Sequence, residues 1–160
     1  MAPLRELLNS AADTEALGAR LARARPDGRA PLTVVYLCGD LGAGKTTLAQ
    51  GFLRACGVTG PVRSPTYSLV QLYPLEGQTV AHLDLYRLRA PEELEHLGLE
   101  AWALPGCLWL IEWPQRAESA LPPPDVTVAL SVLGTGHEAD ITYGTAAGEA
   151  WVARAARNSS

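Results

Sequence analysis

The stretch GDLGAGKT, residues 39–46, constrains this chain more than any other part of its sequence. It fits the pattern GxxxxGK followed by Ser or Thr, which forms a phosphate-binding loop when it lies between a strand and a helix. The preceding run LTVVYLC, residues 32–38, is apolar and rich in β-branched residues, as expected of a strand buried on both faces. A helix is predicted from Lys45 to about Cys56, ending at Gly57. This context favours an α/β fold built around a P-loop.

Each position of the loop has a chemical reason. Glycines let the backbone turn its N–H groups toward a phosphate, and the following helix adds its positive N-terminus. Lys45 is expected to reach the β- and γ-phosphates, Thr46 to bind Mg²⁺ through its hydroxyl and Thr47 to reach the α-phosphate. The predicted nucleotide-binding residues are therefore Gly39, Asp40, Leu41, Gly42, Ala43, Gly44, Lys45, Thr46 and Thr47.

Lys45 is the only lysine of the chain, whose other twelve basic residues are arginines. A lysine is a compact point charge, whereas the broad guanidinium fork of arginine would not enter the same small cradle. This explains why lysine is kept at this position. Guanine-specific GTPases of the Ras type also need a second lysine, in an Asn-Lys-x-Asp motif, and the chain has none. ATP is therefore favoured over GTP as the ligand.

The rest of the chain predicts one α/β domain over residues 1–160, with helices flanking a mixed parallel and antiparallel sheet. Helices are expected at residues 11–24, behind a capping box at Ser10, at 91–98, and in the terminal segment 146–157. A hairpin is expected from the segments 67–73 and 78–84, and further strands at 107–112, 126–133 and 139–143. The last strand is expected at a sheet edge, and the tail from about residue 145 is expected to be peripheral.

Two acids are the last residues of predicted strands, in the positions that a P-loop site requires. Asp84 ends QTVAHLD and Glu112 ends CLWLIE, where a side chain can point into the crevice outside the sheet. Such a site needs an acid to hold Mg²⁺ or its water and a group that orients the attacking nucleophile. The residues alone do not decide which acid has which role. Thr66, in the loop RSPTYSL, is expected to complete the Mg²⁺ shell with its hydroxyl.

The predicted site therefore has two overlapping sets of side chains. The catalytic set is Lys45, Asp84 and Glu112, and the metal ligands are Thr46, Thr66, Asp84 and Glu112. Arg87 is interpreted either as a phosphate-neutralising residue or as half of a surface ion pair. Trp109 and Trp113 are interpreted either as core residues or as a wall of the site. No catalytic role is assigned to the histidines, and the cysteines are interpreted as buried thiols; these residues are His82, His96, His137, Cys38, Cys56 and Cys107.

Charge and hydropathy exclude some partners. The net charge of −4 and the pI of about 5.3 give the chain no overall basic field with which to hold a phosphate backbone. Any contact with nucleic acid is therefore expected to be local or made through a partner. No window approaches the roughly 18 apolar residues of a membrane span, so a cytoplasmic protein without a membrane contact is expected.

With these motifs in place, the sequence resembles the TsaE (YjeE) family, the small bacterial P-loop ATPases of tRNA threonylcarbamoyladenosine biosynthesis. The resemblance covers about residues 14–132 and rests on GDLGAGKTT, SPTYSLV, HLDLYRL, PEELEHLGLE and LIEWPQRA in that order. It implies slow, Mg²⁺-dependent ATP hydrolysis in support of the TsaB–TsaD complex, which installs threonylcarbamoyl on the adenosine next to the tRNA anticodon.

The resemblance also implies individual roles. Thr66 would be the switch-loop threonine, Asp84 the metal-side acid and Glu112 the acid that supports hydrolysis. Gln115 stands where family members often have an acid, so position 115 receives no charged role.

Two other functions fit the same loop. A small-molecule kinase would also use a P-loop, although no arginine-rich insertion of lid length follows Leu85. A nucleotide-gated binding module that hardly hydrolyses ATP would use the nucleotide only to order the loop RSPTYSL for a partner.

Overall fold

The computed structural model describes residues 4–157, and within that range seven strands form one mixed sheet. The strands are β1 (Leu4–Leu8), β2 (Thr33–Cys38), β3 (Val70–Leu75), β4 (Gln78–Asp84), β5 (Cys107–Glu112), β6 (Val126–Leu133) and β7 (Gly136–Tyr143). Their order is β1-β7-β6-β2-β5-β4-β3. The four central strands β6, β2, β5 and β4 are parallel, and the outer strands pair antiparallel. The predicted α/β class with a mixed sheet is confirmed.

Three α-helices flank the sheet in the described part of the chain: α1 (Ala11–Arg23), α2 (Lys45–Ala55) and α3 (Ala146–Arg157). The predicted cap of α1 is present, since the Asp13 N–H donates to Ser10 Oγ at 3.1 Å. The helix predicted at 91–98 forms as the 3₁₀ segment Pro91–Leu97, followed by three others at Leu99–Trp102, Pro114–Arg116 and Glu118–Ala120. Across residues 4–157, no helix has the length and apolar character needed to cross a membrane.

The sheet has an apolar core on each face. One core lies between the sheet and the three helices and includes Phe52 and Trp151. The other lies beneath the 3₁₀ segments and includes Trp109. Alternate residues of β2 enter the two cores, which explains its continuous apolar sequence. The central strand that leads into the P-loop is therefore held on both sides.

One prediction about the sheet edge is wrong, because one strand was missed. Strand β1 was not expected, and it pairs antiparallel with β7 from Leu4 opposite Ile141 to Leu8 opposite His137. The segment 139–143 is consequently interior rather than an edge. The short sequence LRELL has no strong strand preference, so its conformation depends on a partner that lies far away in the sequence.

The C-terminal tail is more integrated than the sequence analysis expected. Trp151 of α3 is 1% exposed, and its Nε1–H donates to the Leu21 carbonyl at 2.9 Å. Val152 and Ala155 are buried in the same core. This helix is therefore not peripheral on its inner face, because it closes the core over α1 and the last two strands.

Candidate functional site

The loop between β2 and α2 depends on glycine for its shape. Gly39 has φ 144° and Gly44 has φ 105°, both in the region that side chains rarely adopt. A Cβ at Gly39 would also lie 2.5 Å from the Leu130 carbonyl oxygen. Backbone conformation and close packing therefore both require glycine at position 39.

Lys45 opens α2 and is 5% exposed. Its ammonium donates to the Gly39 carbonyl and, at 2.8 Å, to the Asp40 carbonyl, and it lies 4.4 Å from the centroid of the Trp113 ring. Burial lowers the pKa of Lys45, and the negative charges of neighbouring acids, Glu112 foremost, oppose that shift. The side chain is thus held inside the site by the loop that it belongs to.

The two predicted acids meet at one edge of the sheet. Asp84 and Glu112 are register partners on the parallel strands β4 and β5, so their side chains project from the same face. Both are buried, with exposures of 5% and 2%. Thr46 Oγ1 donates to Glu112 Oε1 at 3.1 Å. The hydroxyl of the loop's last motif residue is therefore in direct contact with Glu112.

The segment before β3 brings further hydroxyls to the acids. Thr66 Oγ1 donates to Asp84 Oδ2 at 3.3 Å, and the Ser64 hydroxyl donates to the same oxygen. Ser64 Oγ also lies 3.4 Å from Glu112 Oε2. The sequence analysis missed Ser64, although a hydroxyl two residues before Thr66 in SPT was a signal that it too faces the acids.

The side chains surround a cleft of about 390 Å³ at the carboxyl ends of the parallel strands. All four predicted metal ligands offer oxygen, the donor that Mg²⁺ prefers, and the glycine loop leaves room for phosphate. Across residues 4–157, no three His, Cys, Asp or Glu side chains form a metal site by themselves. The cleft is lined by Leu41, Gly42, Gly44, Lys45, Thr46, Thr47, Thr66, Asp84, Tyr86, Arg87, Glu112 and Trp113.

The structure distinguishes the residues whose roles the sequence left open: one lies in the core and two line the cleft. Trp109 is buried in the core, with its Nε1–H donating to the Trp102 carbonyl at 3.0 Å. Trp113 lines the cleft at φ 60°, and its ring centroid lies 4.9 Å from that of Tyr86. Arg87 also lines the cleft, with its guanidinium 4.7 Å from the centroid of the Tyr67 ring.

The histidines and cysteines differ in burial. His96 is exposed, and His137 Nε2 lies 3.2 Å from the Gly42 carbonyl oxygen. His82 is fully buried, and its Nε2 lies 2.7 Å from Glu112 Oε2. Cys107 is buried as expected, but Cys38 and Cys56 are half-buried, and burial raises the pKa of Cys56 to about 11. The sequence analysis gave His82 no role, although its place two residues before Asp84 put it on the same face of β4.

The parallel central strands, the glycine loop and the acids at the strand ends define a P-loop NTPase fold. The family model "Threonylcarbamoyl adenosine biosynthesis protein TsaE" matches residues 8–139, and the chain belongs to the TsaE family.

Individual relatives agree with this family. The chain is 41% identical over 116 residues to the "tRNA threonylcarbamoyladenosine biosynthesis protein TsaE" of Haemophilus influenzae, covering 72% of this chain and 73% of that one. It is 34% identical over 135 residues to the protein of the same name from Treponema pallidum, covering 84% and 96%. The crystal structure of Bacillus subtilis YdiB superposes with a TM-score of 0.80 at 25% identity, covering 99% and 97% of the two chains.

Proposed function

We propose that this chain binds ATP with Mg²⁺ and hydrolyses it slowly, in support of a TsaB–TsaD complex that installs threonylcarbamoyl on the adenosine next to the tRNA anticodon. The observation that carries the ATPase proposal is the contact between Thr46 and Glu112 beside the buried Lys45, in one cleft. Membership of the TsaE family supports the pathway. We propose further that residues 1–160 act as one domain in the cytoplasm.

In this proposal the loop residues hold the phosphates. Lys45 exchanges the carbonyl oxygens of Gly39 and Asp40 for oxygens of the β- and γ-phosphates. The backbone N–H groups of the glycine loop and of the first turn of α2 surround the same phosphates. Bound Mg²⁺ offsets negative charge on the phosphates. Thr47, which also lines the cleft, contacts the α-phosphate.

The geometry favours one assignment of the two acids. Because Thr46 donates to Glu112, we place Glu112 on the metal side, with Thr46 as its neighbouring ligand. Asp84 accepts from Ser64 and Thr66, so in this proposal it orients the nucleophile together with the segment before β3. This assignment reverses the one that the family resemblance implied for Asp84 and Glu112. Thr66 remains a proposed metal ligand through its hydroxyl.

The test is phosphate release from ATP by the purified chain, alone and with TsaB–TsaD and tRNA, in Mg²⁺ and in EDTA. We expect slow release alone, faster release with the partners and none in EDTA. A labelled product other than free phosphate would instead indicate a kinase. No release under any condition would contradict the ATPase proposal and favour a nucleotide-gated binding module.

The proposed route to tRNA is supported by the charge of the chain and by its family. With a net charge of −4, the chain lacks the basic field for tight binding to tRNA. We therefore propose that tRNA is reached through TsaB–TsaD. Direct, salt-dependent binding of tRNA to the isolated chain would contradict this.

A further inference from the structure

His82 lies directly beneath the acids. It sits on β4, opposite Leu110 of β5, on the face of the sheet that also carries Asp84. Its side chain is fully buried, and Nε2 lies 2.7 Å from Glu112 Oε2. Its neighbours on this face, Val80 and Leu110, are apolar and belong to the core.

A buried polar side chain at such a position is unfavourable unless it makes a hydrogen bond. Glu112, when ionised, can only accept, so the imidazole must donate from Nε2. Among the described residues Nδ1 has no hydrogen-bond partner. The tautomer with the proton on Nε2 and none on Nδ1 fits both observations. A proton on Nδ1 would be a buried N–H without an acceptor, which is energetically costly.

The two oxygens of the Glu112 carboxylate accept hydrogen bonds from different donors. Oε2 accepts from His82, and Oε1 accepts from Thr46. The terminal torsion of a glutamate is broad, so a carboxylate held at one end only can rotate away from its second partner. With both ends held, Oε1 stays toward the loop.

We propose that His82 is a positioning residue, which holds the Glu112 carboxylate from below so that Oε1 faces Thr46 and the bound metal. The inference rests on the proposed ATPase function and on the metal-side role of Glu112. His82 lies outside the set of cleft-lining residues, so it acts through Glu112. Outer partners of this kind typically change metal affinity or activity by about 10–100-fold when removed.

The kinetic test compares His82→Leu with His82→Gln. Leucine cannot donate, whereas the amide N–H₂ of glutamine can donate from about the position of Nε2. We expect His82→Leu to lower kcat by about 10–100-fold with little change in the KM for ATP, and His82→Gln to recover most of that loss. His96→Leu, on an exposed histidine, is the matched control and should leave kcat unchanged.

Denaturation midpoints of the variants separate loss of folding from loss of positioning. Equal rates for His82→Leu and the parent, or no recovery in a folded His82→Gln, would overturn the inference.

A second readout does not need hydrolysis. Nitrogen-15 NMR of the histidine rings should show the His82 proton on Nε2, and Glu112→Gln should shift that resonance while leaving His96 unchanged. A proton on Nδ1 instead would overturn the inference. If the parent chain released no phosphate, the ATPase proposal would fail, whereas the ring proton would still decide whether His82 holds Glu112.

Discussion

At the scale of single residues, the site combines one buried cation with two buried acids. Lys45 is held by two loop carbonyls and faces the Trp113 ring, while Glu112 and Asp84 are each held by hydroxyls. Buried charges are stable only when they are partnered in this way. Removing one charged residue therefore removes charge compensation from the others, and substitutions here should change function strongly.

Substitution of Lys45 is expected to abolish productive nucleotide binding. Lys45→Ala removes the charge, and Lys45→Arg keeps the charge but places a planar fork where the buried cradle accommodates an ammonium. We expect both variants to lose Mg²⁺–ATP binding in equilibrium titrations. Arg54→Ala, at a position exposed to solvent near the end of α2, is the control and should bind normally. Normal binding by Lys45→Arg would show that the cradle does not select for lysine.

The two acids should separate in a metal titration. Glu112→Gln removes the negative charge from the proposed metal ligand beside Thr46. It should therefore raise the Mg²⁺ concentration required for hydrolysis and also slow the reaction. Asp84→Asn should slow hydrolysis, by about 10²–10⁴-fold if Asp84 acts on the nucleophile, at an unchanged Mg²⁺ requirement. Nucleotide binding without metal should persist in both variants. The opposite pattern of Mg²⁺ dependence would return the metal-side role to Asp84.

At the scale of elements, the position of the P-loop helix depends on close contact between α1 and α2. A Cβ at Gly18 would lie 2.2 Å from the Leu48 carbonyl oxygen, and a Cβ at Gly51 would lie 2.2 Å from the Glu15 carbonyl oxygen. Each helix therefore presents a glycine to the backbone of the other. Since α2 begins with Lys45, this contact also sets the position of the proposed phosphate site.

Gly51→Ala tests this contact because packing and helix propensity predict opposite signs. Alanine is the better helix former by about 1 kcal/mol, but here its methyl group would force the helices apart. We expect a net loss of about 1–3 kcal/mol in the free energy of unfolding, measured by urea denaturation. Ala12→Gly, on the exposed side of α1, should lose only the propensity difference. A more stable Gly51→Ala protein would contradict the close contact.

At the scale of the whole molecule, the cleft joins parts of the chain that are far apart in sequence. Its lining comes from the P-loop, the segment before β3, and the residues that end or follow β4 and β5. A ligand that contacts all of these should stabilise the folded state as a unit, since it binds that state alone.

Mg²⁺–ATP is accordingly expected to raise the Tm of the chain. Ligand at 100 times its Kd adds about 2.7 kcal/mol to the free energy of unfolding, which shifts the Tm of a domain of this size by several degrees. Chelation of Mg²⁺ should remove part of the shift, and Lys45→Ala should remove most of it. An equal shift in Lys45→Ala, measured by differential scanning fluorimetry, would place the nucleotide elsewhere.

The parts of the fold that depend on local sequence were predictable, and those that depend on distant pairing were not. The P-loop follows from a contiguous motif, and strand patterning places Asp84 and Glu112 at the ends of β4 and β5. Strand β1 escaped prediction because its conformation comes from β7. The contacts of Ser64 and His82 with the acids depend on how the segment before β3 runs and on how β4 pairs with β5.

The single lysine also gives the molecule an unusual covalent chemistry. Lys45 carries the only side-chain amine in the chain, and the residue is 5% exposed and lines the cleft. Acylating reagents that modify surface lysines on most proteins therefore have one side-chain target here, and it is the residue proposed to bind phosphate. Amine-directed labels or cross-linkers would therefore react with Lys45 or with no lysine at all. A bound nucleotide would be expected to shield Lys45 from them.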